Sequence, residues 1–405
     1  MFNTVQSFSP AFRRFALSRV LVWSGAATSL VALPVLVYDL TGSATATAAL
    51  AALEAAPYLA FGLVAGAWGD RFTRAWTLTG AGLASAALLA SVPIAAQVST
   101  LHVAHVLAVA TAVGILGVFA DAAAFGSITT LVDRGELAGA QGLLTTVGTL
   151  VGVAGPAVGG ALLARVGAVH VLWVEVAAYV AGAALLTGLR LGGGVRPAGA
   201  SLLGSISEGL RFVLREPLVR RLTLCGIGVS LASGGVVGLQ VALAVDELGV
   251  PLDGHELGLL LAAGACGSAA AGLLAPTVRR RWRAGLVASV GYLAGFAAVC
   301  ALALSPGWLA AAALLAAWHL VATTVIVNGI VARQTLAPDE LQSRVNATAR
   351  MIAWGGQPLG ALLAAALVTV VDVRTTILLL STALLASALA AWASGLHRLA
   401  VSPAS

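Results

Sequence analysis

No lysine occurs in this chain of 405 residues; all 22 basic side chains are arginine. A GC-rich bacterial genome accounts for that as well as any mechanism, so no function is read from it. Charge of either sign is scarce, at 9% of residues, where soluble domains carry about a quarter. With 60% hydrophobic residues and a mean hydropathy of +0.99, that scarcity excludes an ordinary soluble domain and marks a membrane protein. Cysteine is almost absent. Cys225, Cys266 and Cys300 all lie in apolar stretches, where Cys behaves as a small hydrophobe, so neither a disulfide nor a metal site is expected. No His/Cys/acid cluster has metal-ligand spacing. No Gly-Lys-Ser/Thr phosphate loop is present, which argues against an ATP-driven pump, and no cofactor is expected. No cleavage site of small residues is suitably placed after the first apolar stretch, so that stretch reads as a retained span. The net charge of +6 sits as arginines in short loops, which membrane topology explains better than nucleic acid does.

What is present is a series of long apolar runs. About 20 mostly apolar residues cross a hydrocarbon core. The chain offers twelve such spans, at 17–38, 48–68, 77–97, 102–131, 142–164, 169–189, 222–245, 257–277, 285–304, 308–332, 346–370 and 376–396. A transmembrane barrel would instead show short alternating segments. If the first loop set is cytoplasmic, every arginine except Arg165 and Arg374 falls on that side, counting Arg13, Arg14 and Arg19 as preceding the first apolar stretch. The opposite side carries Asp39, Asp246, Glu247, Asp253, Glu256 and Asp372. The asymmetry predicts both termini in the cytoplasm.

The chain divides around residues 190–221, into an N-terminal half at 1–189 and a C-terminal half at 222–405. The divider opens with "GGGVRPAG", a flexible composition, and continues "SLLGSISEGLRFVLREP", an amphipathic pattern that predicts a helix on the cytoplasmic membrane surface. The halves echo each other. "ELAGAQGLL…GPAVGGALL" from Glu136 resembles "ELQSRVNAT…GQPLGALL" from Glu340, with Pro156 and Pro358 in like places. Two parallel six-span halves point to alternating access around a site at the midplane.

Three charges stand within five residues in "GAWGDRFTRAW", between the second and third spans. Twelve spans in two sixes, a long central loop and this G-x-x-x-D-R-x-x-R pattern resemble the major facilitator superfamily. The resemblance implies an all-α membrane fold of twelve transmembrane helices in two pseudo-symmetric halves. It also implies a cytoplasmic gate built from Gly66, Asp70, Arg71 and Arg74. The usual Gly is replaced by Thr73, and Ala75 stands near an expected basic position. Read without the family, the same residues are topogenic charge plus one solvated acid. In the fifth span, Gly155, Pro156, Gly159 and Gly160 match the G-P-x-x-G-G element of exporters in this superfamily, although Val151 occupies the place of an upstream Gly. Ordinary helix packing is the alternative. "RQTLAPDELQSR" and "EGLRFVLREP" resemble bacterial efflux members related to macrolide and siderophore exporters.

Ionisable groups inside spans are costly and mark function. Glu54, Asp121 and Glu175 qualify, and are taken in that order as proton-coupling candidates, because spans two and four face the cavity or partner half in the resembled fold. Each could equally be a satisfied structural acid. His319, Asn328 and Gln240 are candidates to line the cavity; His319, beside Trp318 near the outer end of its span, also reads as an interface anchor. The expectation is a multi-pass protein of a bacterial inner membrane, not an enzyme, acting as a monomer within the lipid bilayer. It exports small, largely hydrophobic molecules by proton antiport, so its partners are a small-molecule substrate and protons. An uptake permease and a non-transporting sensor on the same fold are the alternatives.

Overall fold

The computed structural model describes residues 8–400, apart from 69–72, 99, 134–135, 190, 192–201, 253, 339–344, 346–347, 350 and 354. Asp70 and Arg71 of the expected gate therefore lie outside the described residues. The described chain is helical nearly throughout. Its helices are α1 (Pro10–Thr41), α2 (Ala44–Trp68), α3 (Arg74–Val98), α4 (Val103–Leu131), α5 (Leu137–Val166) and α6 (Ala168–Leu186). After them come α7 (Leu202–Arg215), α8 (Pro217–Ala242), α9 (His255–Arg281), α10 (Ala284–Ala303), α11 (Trp308–Leu336), α12 (Gly356–Leu367) and α13 (Val373–Ala393).

Among the described residues, eleven of these helices are long and apolar enough to cross a membrane. The shorter α12 lies in the apolar stretch Met351–Leu367, at the place of the eleventh span read from sequence. Helix is the only regular structure that satisfies every backbone group within a single lipid-facing segment. Several helices overrun the apolar runs that predict them. α1, for instance, begins at Pro10, seven residues before the expected span. That extension carries Arg19 into the body of the helix.

The chain divides into two compact units. One comprises Met1–Leu40 with Ala60–Ala198, and the other comprises Thr41–Leu59 with Gly199–Ser405. In the first unit α3 packs against α4 and α6. A cluster of Phe8, Phe12 and Phe15 with Leu78, Ala123, Ile128, Leu144 and Leu186 fills one end. In the second unit α9 packs along α11, α8 along α12 and α13, and α10 along α11 and α13.

Small residues let these helices approach. A Cβ at Gly267 would collide with the Ala316 carbonyl, and one at Gly360 with that of Leu231. Without water to drive association, such close backbone packing supplies much of the contact energy between spans. α7 is the amphipathic helix anticipated between the halves. Its Val213, with Phe212, packs onto Val219, Leu336, Ala337, Val345 and Ala349, while Leu210 and Leu214 one turn apart remain exposed.

Candidate functional site

The first unit holds a charged cluster inside its spans. Arg19 extends from α1 and is buried, with a side chain only 6% exposed. Its Nη2 donates to Asp121 Oδ1 on α4 at 3.2 Å, and its guanidinium lies 5.3 Å from the centre of the Trp23 ring, one turn further along α1. Asp121 itself is 48% exposed. The pair is lopsided: a buried cation holds a half-exposed anion. Arg19 Nε is buried with no hydrogen-bond partner, so the cation is not fully satisfied. The α1 backbone is pinned nearby by Ser18 Oγ, which donates to the Gly182 carbonyl of α6 at 2.8 Å.

Glu175 on α6 adds a second acid, 4% exposed, whose Oε2 has no hydrogen-bond partner. Ser29 Oγ of α1 is likewise buried, within reach of the Glu175 carboxyl. Gly25 lets α1 settle on α6 at this level, since a Cβ there would stand 2.9 Å from Glu175 Cα. Tyr179, one turn beyond Glu175, lies within electrostatic reach of Glu175, Arg19 and Asp121 together. The structure thus brings two of the three sequence-predicted acids around one tyrosine and one arginine. Glu54 is half-buried on α2, in the stretch Thr41–Leu59 that groups with the second unit.

Sequence reasoning missed the inward placement of Arg19, having grouped it with the loop arginines. The signal was its setting: "FALSRVLVW" places apolar residues on both sides, with Trp23 at the i+4 position. Arg333 was misplaced in the same way. It is 6% exposed near the end of α11, with Nε unpartnered.

Of the expected gate, Arg74 is described. Its Nη1 donates to the Gly126 carbonyl of α4 at 2.6 Å. The guanidinium lies flat against Gly126, where a Cβ would stand 2.7 Å from Nε. Gly66 belongs to the last turns of α2. In α5, the expected exporter element faces α1. Gly155 meets Ala27, a Cβ at Gly159 would stand 2.9 Å from the Thr28 backbone, and Pro156 and Gly160 are buried. Gly155 and Gly159 therefore permit the close packing of α5 on the helix that carries Arg19.

In the second unit, hydrogen bonds between neutral groups join the spans α9 and α11. Ser268 Oγ lies 3.5 Å from His319 Nδ1, and Thr323 Oγ1 donates to Ser268 Oγ at 3.1 Å, joining α9 to α11. His319 packs on Gly264 and lies eleven residues into α11, roughly 16 Å along its axis. The interface-anchor expectation is corrected here: Trp318 is 1% exposed and packs on Gly295. Asn328 is buried, and its Nδ2 donates to the Ala284 carbonyl at 2.8 Å, tying α11 to the start of α10. Gln240 is half-buried near the end of α8. Beyond it a π-helical turn, Leu243–Glu247, carries Glu247 to Arg374, whose Nε donates to Glu247 Oε2 at 2.8 Å.

Comparison with known proteins follows this geometry. A family model described as Major Facilitator Superfamily matches residues 15–352. The chain is 29% identical over 373 residues to the multidrug efflux pump Tap of Mycolicibacterium fortuitum, covering 88% of this chain and 89% of that protein. It is 27% identical over 380 residues to the multidrug efflux pump Tap of Mycobacterium tuberculosis (strain ATCC 25618 / H37Rv), covering 91% and 89%. Among solved structures, a bacterial homologue of the human lysosomal transporter Spinster, inward-facing and unoccupied, superposes with a TM-score of 0.75 at 16% identity. That match covers 96% of this chain and 98% of the other. The nucleoside transporter NupG superposes at 0.74 and 14% identity, covering 96% and 99%. At these identities the two structures share the fold alone.

Proposed function

This chain belongs to the Major Facilitator Superfamily, and we propose that it exports small, largely hydrophobic molecules across a bacterial inner membrane in exchange for protons. It is a multi-pass membrane transporter and not an enzyme. Both termini are placed in the cytoplasm by the arginine asymmetry. Export rather than uptake rests on the full-length relation to efflux pumps. Gly66, Asp70, Arg71 and Arg74 form the proposed cytoplasmic gate, and the monomer is the working unit.

The observation that carries the coupling is the lopsided Arg19–Asp121 pair. Export against a gradient needs an energy source, and a half-exposed acid inside a span is a place where a proton can be exchanged. Ionised Asp121 compensates the buried charge of Arg19. Protonated Asp121 no longer does, so Arg19 is left in an apolar setting without its counter-charge. The two protonation states therefore favour different arrangements of the helices around α1, which is the differential stabilisation that a coupled transporter requires. Glu175, buried behind α1, is the second acid of this relay. Glu54, ranked first on sequence, groups with the second unit in the division of the chain.

Purified protein in proteoliposomes tests the reading. An inward pH gradient should drive uphill movement of an environment-sensitive hydrophobic dye. Asp121→Asn should abolish uphill movement while sparing dye binding and downhill flux. Uphill transport that survives Asp121→Asn but is lost in Glu54→Gln would move the coupling role to Glu54. Dye movement with the opposite gradient dependence would favour uptake.

A further inference from the structure

At one end of the second unit four arginines line a single cleft. α9 ends with Arg279, Arg280 and Arg281, and Arg283 follows just before α10. Together with Trp282 and Asn328 they bound a cleft of about 290 Å³. Basic residues in a last turn complement the helix dipole, but one or two are enough for that. Topology likewise asks only for positive charge near a span, not for a shared concavity. No ion pair with a carboxylate forms at any of the four among the described residues. Arg283 Nη1 reaches only the Arg398 carbonyl, at 3.5 Å. All four remain exposed.

Two further features give the missing ligand a shape. Asn328, 1% exposed, lines the cleft; its Nδ2 is used by the Ala284 carbonyl and its Oδ1 has no hydrogen-bond partner. An unsatisfied acceptor beneath a ring of cations suits a group that carries both negative charge and a donor. The second feature is apolar. Leu273 is 82% exposed and Leu274 48% exposed on α9. Residues seven apart share a helix face, so Leu273 leads to Arg280 and Leu274 to Arg281. Trp282, 53% exposed, stands at the junction of the oily face and the charged one, the position that indole prefers at a membrane interface.

We propose that this cleft binds the headgroup of an anionic glycerophospholipid, a phosphodiester bearing hydroxyl donors, with its acyl chains along the Leu273/Leu274 face of α9. The guanidiniums take the phosphate oxygens, the N-terminus of α10 adds its positive dipole end at Ala284, and a headgroup hydroxyl donates toward Asn328 Oδ1. A free phosphate would satisfy the arginines but leave the leucine face and Trp282 unused.

The test is native mass spectrometry of the full chain, titrated with short-chain phosphatidylglycerol, with phosphatidylcholine and with inorganic phosphate. Wild-type protein should retain phosphatidylglycerol about tenfold better than phosphatidylcholine, which lacks both the net charge and the hydroxyls. Millimolar phosphate should not displace it. The double substitution Arg280→Gln/Arg281→Gln, which leaves Arg279 and Arg283 to hold topology, should reduce retention to the phosphatidylcholine level. Equal retention of both lipids by the wild type overturns the proposal without recourse to any variant. Displacement by phosphate overturns it in favour of a free-anion site, and full retention by the double variant overturns the location.

Discussion

The two units are both built from long apolar helices but filled with different chemistry. The first places a cation and two acids inside its spans, with Arg19 held to Asp121 and Glu175 close behind. The second joins its spans there through Ser268, His319 and Thr323. Its carboxylate–guanidinium contact, Glu247 with Arg374, stands at helix ends. Helix packing needs only small residues at crossings, and both units have them, so the fold does not dictate where charge goes. A charge inside a span must be justified by what it does when its partner is taken away. On the proposed coupling the charge that matters to transport lies in the first unit, although the second also buries Arg333 and carries Glu54.

The largest effect should come from breaking the charged pair on its exposed side. Asp121→Asn leaves Arg19 buried without a counter-charge and should destabilise the protein by about 3 kcal/mol, the low end for a broken buried pair because Asp121 is half exposed. Arg19→Met should cost less, since the acid it abandons is half exposed where the arginine is buried. Thermal unfolding in detergent measures both, and a larger loss for Arg19→Met would contradict the lopsided description. Next comes the α5–α1 crossing. Gly155→Leu forces a side chain into Ala27 and should cost about 1–3 kcal/mol by overpacking. The same substitution at Gly152, which meets nothing within 4 Å, should be close to neutral.

In the second unit, Thr323→Val removes one neutral hydrogen bond and should cost about 1 kcal/mol, with the pH dependence of transport unchanged. A shifted pH profile would place His319 in the coupling after all. The smallest effect concerns Asp372, which caps α13 by accepting from Thr375 N and Thr375 Oγ1, both at 2.8 Å. These two donors hold its carboxyl below the usual carboxylate range. The cap therefore contributes fully above the unfolded carboxylate pKa and is lost as pH falls through the lowered, folded value. Asp372→Ala should remove up to about 1 kcal/mol at neutral pH and flatten the acid limb of the stability curve. An unaltered acid limb would contradict the cap.

The spans were legible because hydropathy alone decides which segments enter lipid, and every helix that carries a candidate residue begins and ends within several residues of its apolar run. The G-P-x-x-G-G element was legible as packing because Gly and Pro act through local backbone. Arg19 and Arg333 were not, because an arginine near the end of an apolar run looks the same whether it reaches water or turns inward. Only the neighbouring helix decides, and Asp121 lies 102 residues away in sequence. The same limit governed Trp318, whose burial depends on Gly295 of α10. The outward-side exception Arg374 likewise makes sense only once Glu247 is beside it.

Arg74 and Gly126 show how such a contact constrains the protein's history. The guanidinium fills the space that any side chain at position 126 would need, and its bond to the Gly126 carbonyl holds it there. Substituting Gly126 while Arg74 is present makes the flexible guanidinium shift, at the expense of that bond. Substituting Arg74 first vacates the space, after which alanine at 126 meets no guanidinium. The two positions are therefore linked through one hydrogen bond: Gly126→Ala should cost about 1 kcal/mol while Arg74 is present and nothing further on an Arg74→Ala background.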